Sequence, residues 1–228
     1  MKTRFLSSSV AKKFGMAVTG ILLVGFLVAH LSGNLLLYSA DGTAFNAYAE
    51  KLASFGYLLY AAEVGLVAFV LYHAVTGIRL AIAKKAAKPT KYAVNQSKGG
   101  PSKWGFAANN MMITGTLLLI FIILHVKHFK YGPGISEGYV VELKDGVQAR
   151  DLHRYVTEEF KEPKEVILYT AAMIFLGFHL RHGIWSAFQS LGLTKQTNSK
   201  TIYVVGGIIG ILLAVGFLSI PAYIYFFQ

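Results

Sequence analysis

Long apolar stretches separated by short polar ones dominate the chain. Five of them, residues 14–37, 57–78, 106–126, 166–193 and 201–227, are long enough to cross the roughly 30 Å hydrocarbon core of a bilayer at about 20 residues per helical crossing. Each is expected to be helical, because a lone strand in lipid would leave its backbone polar groups without partners. The expected fold class is all-α: one integral membrane domain over residues 1–228, a bundle of five transmembrane helices with no room for a soluble catalytic domain. The first stretch follows a basic start, as a signal peptide does, but it is longer than a usual signal core and "HLSGNLLL" lacks a small-residue cleavage pattern, so it is expected to remain as the first helix.

The polar segments differ among themselves. Residues 129–165 form the longest connection, expected to be an ordered external cap: "VVELKDGVQA" predicts two short extended runs about an Asp-Gly turn, and "RDLHRYVTEEF" predicts a short amphipathic helix. His153 on that helix is expected to be a solvated surface histidine.

Composition agrees with the pattern and adds one exclusion. Hydrophobic residues make up 54% of the 228 and charged residues 14%, too apolar for an ordinary soluble domain. With 0 cysteines there is no thiolate metal site, no iron–sulfur ligation and no covalent c-type haem attachment.

The net charge of +11 invites a nucleic-acid reading, but its distribution argues against one. Lys2, Arg4, Lys12 and Lys13 precede the first helix. Arg79, Lys84, Lys85, Lys88, Lys91, Lys98 and Lys103 follow the second, and Lys195 and Lys200 follow the fourth. No acid stands among them. The intervening connections are mixed, holding Asp41, Glu50 and Lys51 in the first and both signs in the third. This alternation predicts a cytoplasmic amino terminus and an external carboxyl terminus, with membrane lipid rather than nucleic acid as the natural contact.

Six of the seven histidines lie in or beside apolar segments, where ionisable groups are scarce and usually face the bundle interior. At 1.5 Å per residue, His30 and His125 on outward-running helices lie roughly 24 to 28 Å from the cytoplasmic boundary, and His73 and His179 on inward-running helices roughly 6 to 10 Å from it. Four helices thus supply two pairs at two depths, as two bis-histidine b haems would require. Such haems carry electrons rather than activate oxygen, since both axial positions are filled. His128 and His182 each follow another histidine by three residues and stand as alternatives to His125 and His179, or as contacts to a haem carboxylate. Arg79 and Arg181 could pair with haem propionates or snorkel to the interface. Gly77 and Gly183, one turn after His73 and His179, could admit a flat ring.

These residues also carry a resemblance. "AHLSGNL", "LYHAVTGIRL", "TGTLLLIFIILHV" and "FHLRHGIWSAFQSLG" resemble the histidine-bearing helices of the single-chain dihaem cytochrome b subunits that anchor bacterial succinate dehydrogenases and fumarate reductases. The resemblance implies a distal haem on His30 and His125 and a proximal one on His73 and His179. It further implies docking to a cytoplasmic iron–sulfur subunit and through it a flavoprotein, location in the bacterial cytoplasmic membrane, and reaction with a membrane quinone, menaquinone being the expected type. Glu50 becomes the candidate for quinone proton handling, with Glu63 as a second acid to consider. Some relatives carry a glutamate two residues before the fourth-helix ligand; here that position is Gly177, so a proton path through it does not carry over. The alternatives are another dihaem respiratory cytochrome, disfavoured because each of four helices carries one ligand, and a histidine-dependent transporter, disfavoured because no internal repeat is evident.

Overall fold

The computed structural model describes residues 8–87, 105–144 and 146–228. Lys2, Arg4, Lys88, Lys91, Lys98, Lys103 and the Asp145 of the expected turn lie outside them. Among the described residues, five helices are long and apolar enough to cross a membrane, spanning Ser9–Tyr38, Tyr57–Ala86, Met111–Lys130, Pro163–Ser190 and Ser199–Phe227. Their large side chains face outward to an extent no soluble protein tolerates: Tyr57 is 93% exposed, Ile167 70% and Leu212 65%. The chain is a multi-pass membrane protein, nearly all helical, and those side chains meet lipid.

In chain order, α1 is Ser9–Asn34, continued by a 3-10 turn Leu35–Tyr38, and α2 is Thr43–Ala53. Next come α3 (Tyr57–Ala86), α4 (Gly105–Asn109) and α5 (Met111–His125), whose last turn widens into a π turn at Val126–Lys130. A 3-10 turn Ile135–Glu137, β1 (Val140–Glu142), β2 (Gln148–Arg150), α6 (Leu152–Phe160), α7 (Pro163–Ser190) and α8 (Ser199–Phe227) complete the chain.

The helices depart from the apolar runs in ways the ends explain. α1 begins at Ser9, taking in Lys12 and Lys13, because Ser8 Oγ caps it by accepting from the Ala11 N–H at 3.1 Å. α3 carries Arg79, Lys84 and Lys85 on its final turns, since long basic side chains reach the interface without ending the helix. The third span starts later than expected, with α4 and α5 parted at Asn110. Asparagine competes for backbone hydrogen bonds and favours such breaks. α7 starts with Pro163, whose missing N–H is harmless there, and stops at Ser190 ahead of Gly192, where φ is +72°.

Packing divides the chain into two compact units. Unit 1 comprises residues 1–25, 66–119 and 175–212; unit 2 comprises 26–65, 120–174 and 213–228. In unit 1, α8 lies on α7 through its glycines. A Cβ at Gly206 would stand 2.9 Å from Ile184 Cγ2 and one at Gly210 3.0 Å from the Arg181 nitrogen, so small residues four apart set the close approach. In unit 2, Leu37, Phe45, Val156, Phe160, Tyr169, Ile220 and Ile224 form one core.

The long connection belongs to unit 2. β1 and β2 pair antiparallel with Val141 opposite Ala149, as expected, and α6 follows. Asp151 caps α6, accepting from the Arg154 N–H at 3.1 Å and from the Asn46 amide at 2.8 Å. His153 is not solvated: it is 9% exposed, its N–H donates to Asn46 Oδ1 at 2.9 Å, and its ring lies on Gly42, where φ is +65°. Sequence polarity missed this because α2, a helix where a loop was expected, covers the ring.

Candidate functional site

Each unit contains one pair of facing histidines. In unit 2, His30 of α1 and His125 of α5 have ring centres 5.9 Å apart; in unit 1, His73 of α3 and His179 of α7 are 6.4 Å apart. Two imidazoles on opposite sides of one metal, each nitrogen about 2 Å from it, put their ring centres roughly 6 Å apart. Both pairs therefore stand at the separation one shared ion would set.

The surroundings of the rings favour the same use. In unit 1, the Thr19 hydroxyl donates to the Gly15 carbonyl at 2.9 Å or that of Met16 at 3.1 Å, leaving its oxygen to accept. His73 Nδ1 lies 3.4 Å from that oxygen and 3.2 Å from the Met16 carbonyl. On the other side, Thr114 donates to Asn110 or Met111, and His179 Nδ1 lies 3.2 Å from its oxygen. Acceptors at Nδ1 place the proton there and leave the Nε2 lone pair for a metal, as outer partners of metal-bound histidines do. In unit 2, His125 Nδ1 is 2.9 Å from the Tyr169 hydroxyl. His30 has Asn34 one turn on, whose amide donates to the His30 carbonyl at 2.7 Å and stands 3.3 Å from the ring.

Four glycines stand near the rings. Gly77 and Gly183 meet only Met16 and Met111, at 3.8 and 4.0 Å from an added Cβ. The glycines that crowd the rings are on the facing helices: a Cβ at Gly20 would lie 3.2 Å from His73 Cε1, and one at Gly115 would lie 3.2 Å from His179 Cε1. Any side chain at either position would press on the imidazole.

These partners expose a repeat that the sequence reading overlooked. Met16, Thr19, Gly20, Phe26 and His30 recur in order and spacing as Met111, Thr114, Gly115, Phe121 and His125. His73, Gly77 and Ile78 recur likewise as His179, Gly183 and Ile184. Geometry follows suit: Phe26 stacks on His30 at 5.4 Å and Phe121 on His125 at 5.7 Å. The pattern M-x-x-T-G-x5-F-x3-H was available in the sequence. It went unnoticed because apolar positions between the fixed ones vary freely. The repeat does not restore the transporter reading, since α1, α3 and α7 run unbroken through their histidines.

The other candidate residues fall as follows. His128 turns away from the pair in unit 2, its Nε2 2.8 Å from Glu159. His182 is half-buried on α7, Arg181 lies over the Tyr203 ring at 5.9 Å, and Arg79 is exposed on α3. Glu50 is half-buried on α2 of unit 2, the unit that holds His30 and His125. Glu63 is ion-paired with Lys130, which also lies 5.9 Å from the Tyr60 ring.

Five apolar helices and two facing-imidazole centres define a class, the multi-span helical membrane proteins with paired histidine sites. Within it, residues 14–99 match the family described as succinate dehydrogenase/fumarate reductase transmembrane subunit. That match covers less than half of the chain. It takes in His30 and His73, one member of each pair. No curated protein and no solved structure matches the chain.

Proposed function

We propose that the chain is the cytochrome b anchor of a succinate:quinone oxidoreductase, with one b haem held by His30 and His125 and a second by His73 and His179. The observation that carries this reading is the two imidazole pairs at the spacing of one shared ion. Bis-histidine haem, when bound, supplies a one-electron couple with no open position for oxygen.

The chain's own residues do the rest. Thr19 and Thr114 keep the Nδ1 protons of His73 and His179 in place, and Tyr169 serves His125. Gly20 and Gly115 leave the rings room to stand where the facing helix would otherwise push them aside. Arg79, Arg181 and His182, all in unit 1, are the groups to meet a carboxylate of the bound cofactor there.

All 11 acidic residues fall within the ranges of unit 2, and unit 1 is purely basic. This asymmetry supports a cytoplasmic amino terminus and an external carboxyl terminus in a bacterial cytoplasmic membrane. The basic side is where an iron–sulfur subunit docks, carrying with it the flavoprotein that performs the dicarboxylate chemistry. Quinone, menaquinone by expectation, reacts in unit 2, and Glu50 exchanges protons with it.

An oxidised and a dithionite-reduced spectrum of the purified chain, with a pyridine haemochrome assay, tests the reading. Two low-spin b haems per polypeptide are expected, and a content of one or none overturns it.

A further inference from the structure

We propose that His128, Glu159 and Glu165 form a binding site for a divalent transition-metal ion of the zinc type, separate from the paired-histidine centres. The three side chains come from three elements of unit 2: the π turn after α5, the last turn of α6 and the first turn of α7. Each offers one ligand atom, and these atoms lie within 4.8 Å of one another. His128 Nε2 is 2.8 Å from Glu159 Oε2, and its Nδ1 is 3.7 Å from Glu165 Oε2.

A second observation points to a cation. Glu165 Oε2 is buried without a hydrogen bond, its nearest cationic group being the His128 ring at 3.7 Å. A buried carboxylate oxygen that accepts no hydrogen bond is costly, and a metal ion removes that cost. Two carboxylates beside one imidazole leave the site net negative whether or not the imidazole is protonated, and a dication in place of that proton would neutralise it.

The frame around the ligands is stiff. Only Lys161 and Glu162 separate α6 from α7, so Glu159 and Glu165 flank a tight corner. Phe160 packs on Tyr169 at 4.9 Å and on Phe129 at 5.8 Å, fixing that corner against the π turn that carries His128. Such single wide turns inside helices often serve to re-aim a functional side chain. The side chains of His128 and Glu159 are 27% and 26% exposed, which gives an ion a way in.

Ligand chemistry selects the ion. One nitrogen and two oxygens, with a fourth position open to water, suit Zn²⁺, whose ligands sit about 2.0–2.2 Å from the metal and therefore roughly 3.3 Å apart. The three atoms, within 4.8 Å of one another, would draw together to that spacing on binding. Ca²⁺ and Mg²⁺ prefer six or more oxygens, so they should not compete. The site stands whether or not the paired histidines hold haem.

The test is zinc binding to the full-length chain, purified in detergent and stripped with chelator. Wild type should bind one Zn²⁺ per chain in competition with a chromophoric chelator, and millimolar Mg²⁺ or Ca²⁺ should not displace it. X-ray absorption at the zinc edge should report imidazole and carboxylate ligands, and zinc should raise the unfolding temperature. His128→Gln and Glu165→Gln, tested separately and checked for native circular dichroism, should each weaken binding at least tenfold, while Glu162→Gln at the neighbouring corner should not. Absence of binding below about 100 μM, or equal binding by folded His128→Gln and Glu165→Gln, overturns the site.

Discussion

Thr19 and Thr114 have no charge and sit in helices where an unremarkable threonine would attract no notice, yet each sets the protonation of a histidine on another helix. An imidazole that donates from Nδ1 is a stronger donor at Nε2 and stabilises the oxidised state of a bound metal. Thr19→Val or Thr114→Val keeps the shape and removes the acceptor. Each is expected to raise the midpoint potential of the unit 1 haem by on the order of tens of millivolts, leave the unit 2 haem unchanged, and be reversed by serine at the same position. Redox titration followed at the two haem bands measures it. The four facing histidines could be proposed from sequence by depth, but that His125 rather than His128 and His179 rather than His182 meets a ring across the bundle could not. Both alternatives lie one turn further along the same helix. Only the facing ring across the bundle separates them, and no one-dimensional spacing encodes that.

Among the elements, α5 and α1 each carry a glycine that makes room for a ring on another helix. Gly115→Val should therefore expel His179 from its place, losing the unit 1 haem while the unit 2 haem persists in the difference spectrum; Gly183→Ala, with an added Cβ 4.0 Å from Met111 Cε, should keep both. The cap elements of unit 2 respond to pH instead. Hydroxyl and N–H donors from Ser39 and Thr43 hold the Asp41 carboxyl below its usual range, and Tyr139 and Arg154 do the same for Glu158. A carboxyl lowered in the folded state stabilises it above the ordinary carboxylate range and stops doing so as pH falls through the lowered value. Thermal unfolding of the cap should therefore shift to lower temperature on acidification below about pH 4, and less steeply in Glu158→Gln. Helix number, the hairpin and α6 were legible from periodicity. α2 was not, because "TAFNAYAEKLA" is short and its buried residues face His153 and the core rather than lipid.

For the whole molecule, charge is the organising quantity. With every acid in unit 2 and only bases in unit 1, a reporter enzyme that is active only outside the cytoplasm should work when fused after Gln228 or within residues 131–139, and fail when fused after Ala86. Activity of the Ala86 fusion would reverse the orientation.

The repeat has an engineering use. α1 and α3 hold one histidine of each pair, and α5 and α7 hold the other, so neither half of the chain owns a complete centre. A chain cut between α3 and α5 should then behave as a complementation pair. Either fragment expressed alone would be colourless, and the two expressed together would regain a Soret band, turning reassembly of the membrane bundle into something visible by eye.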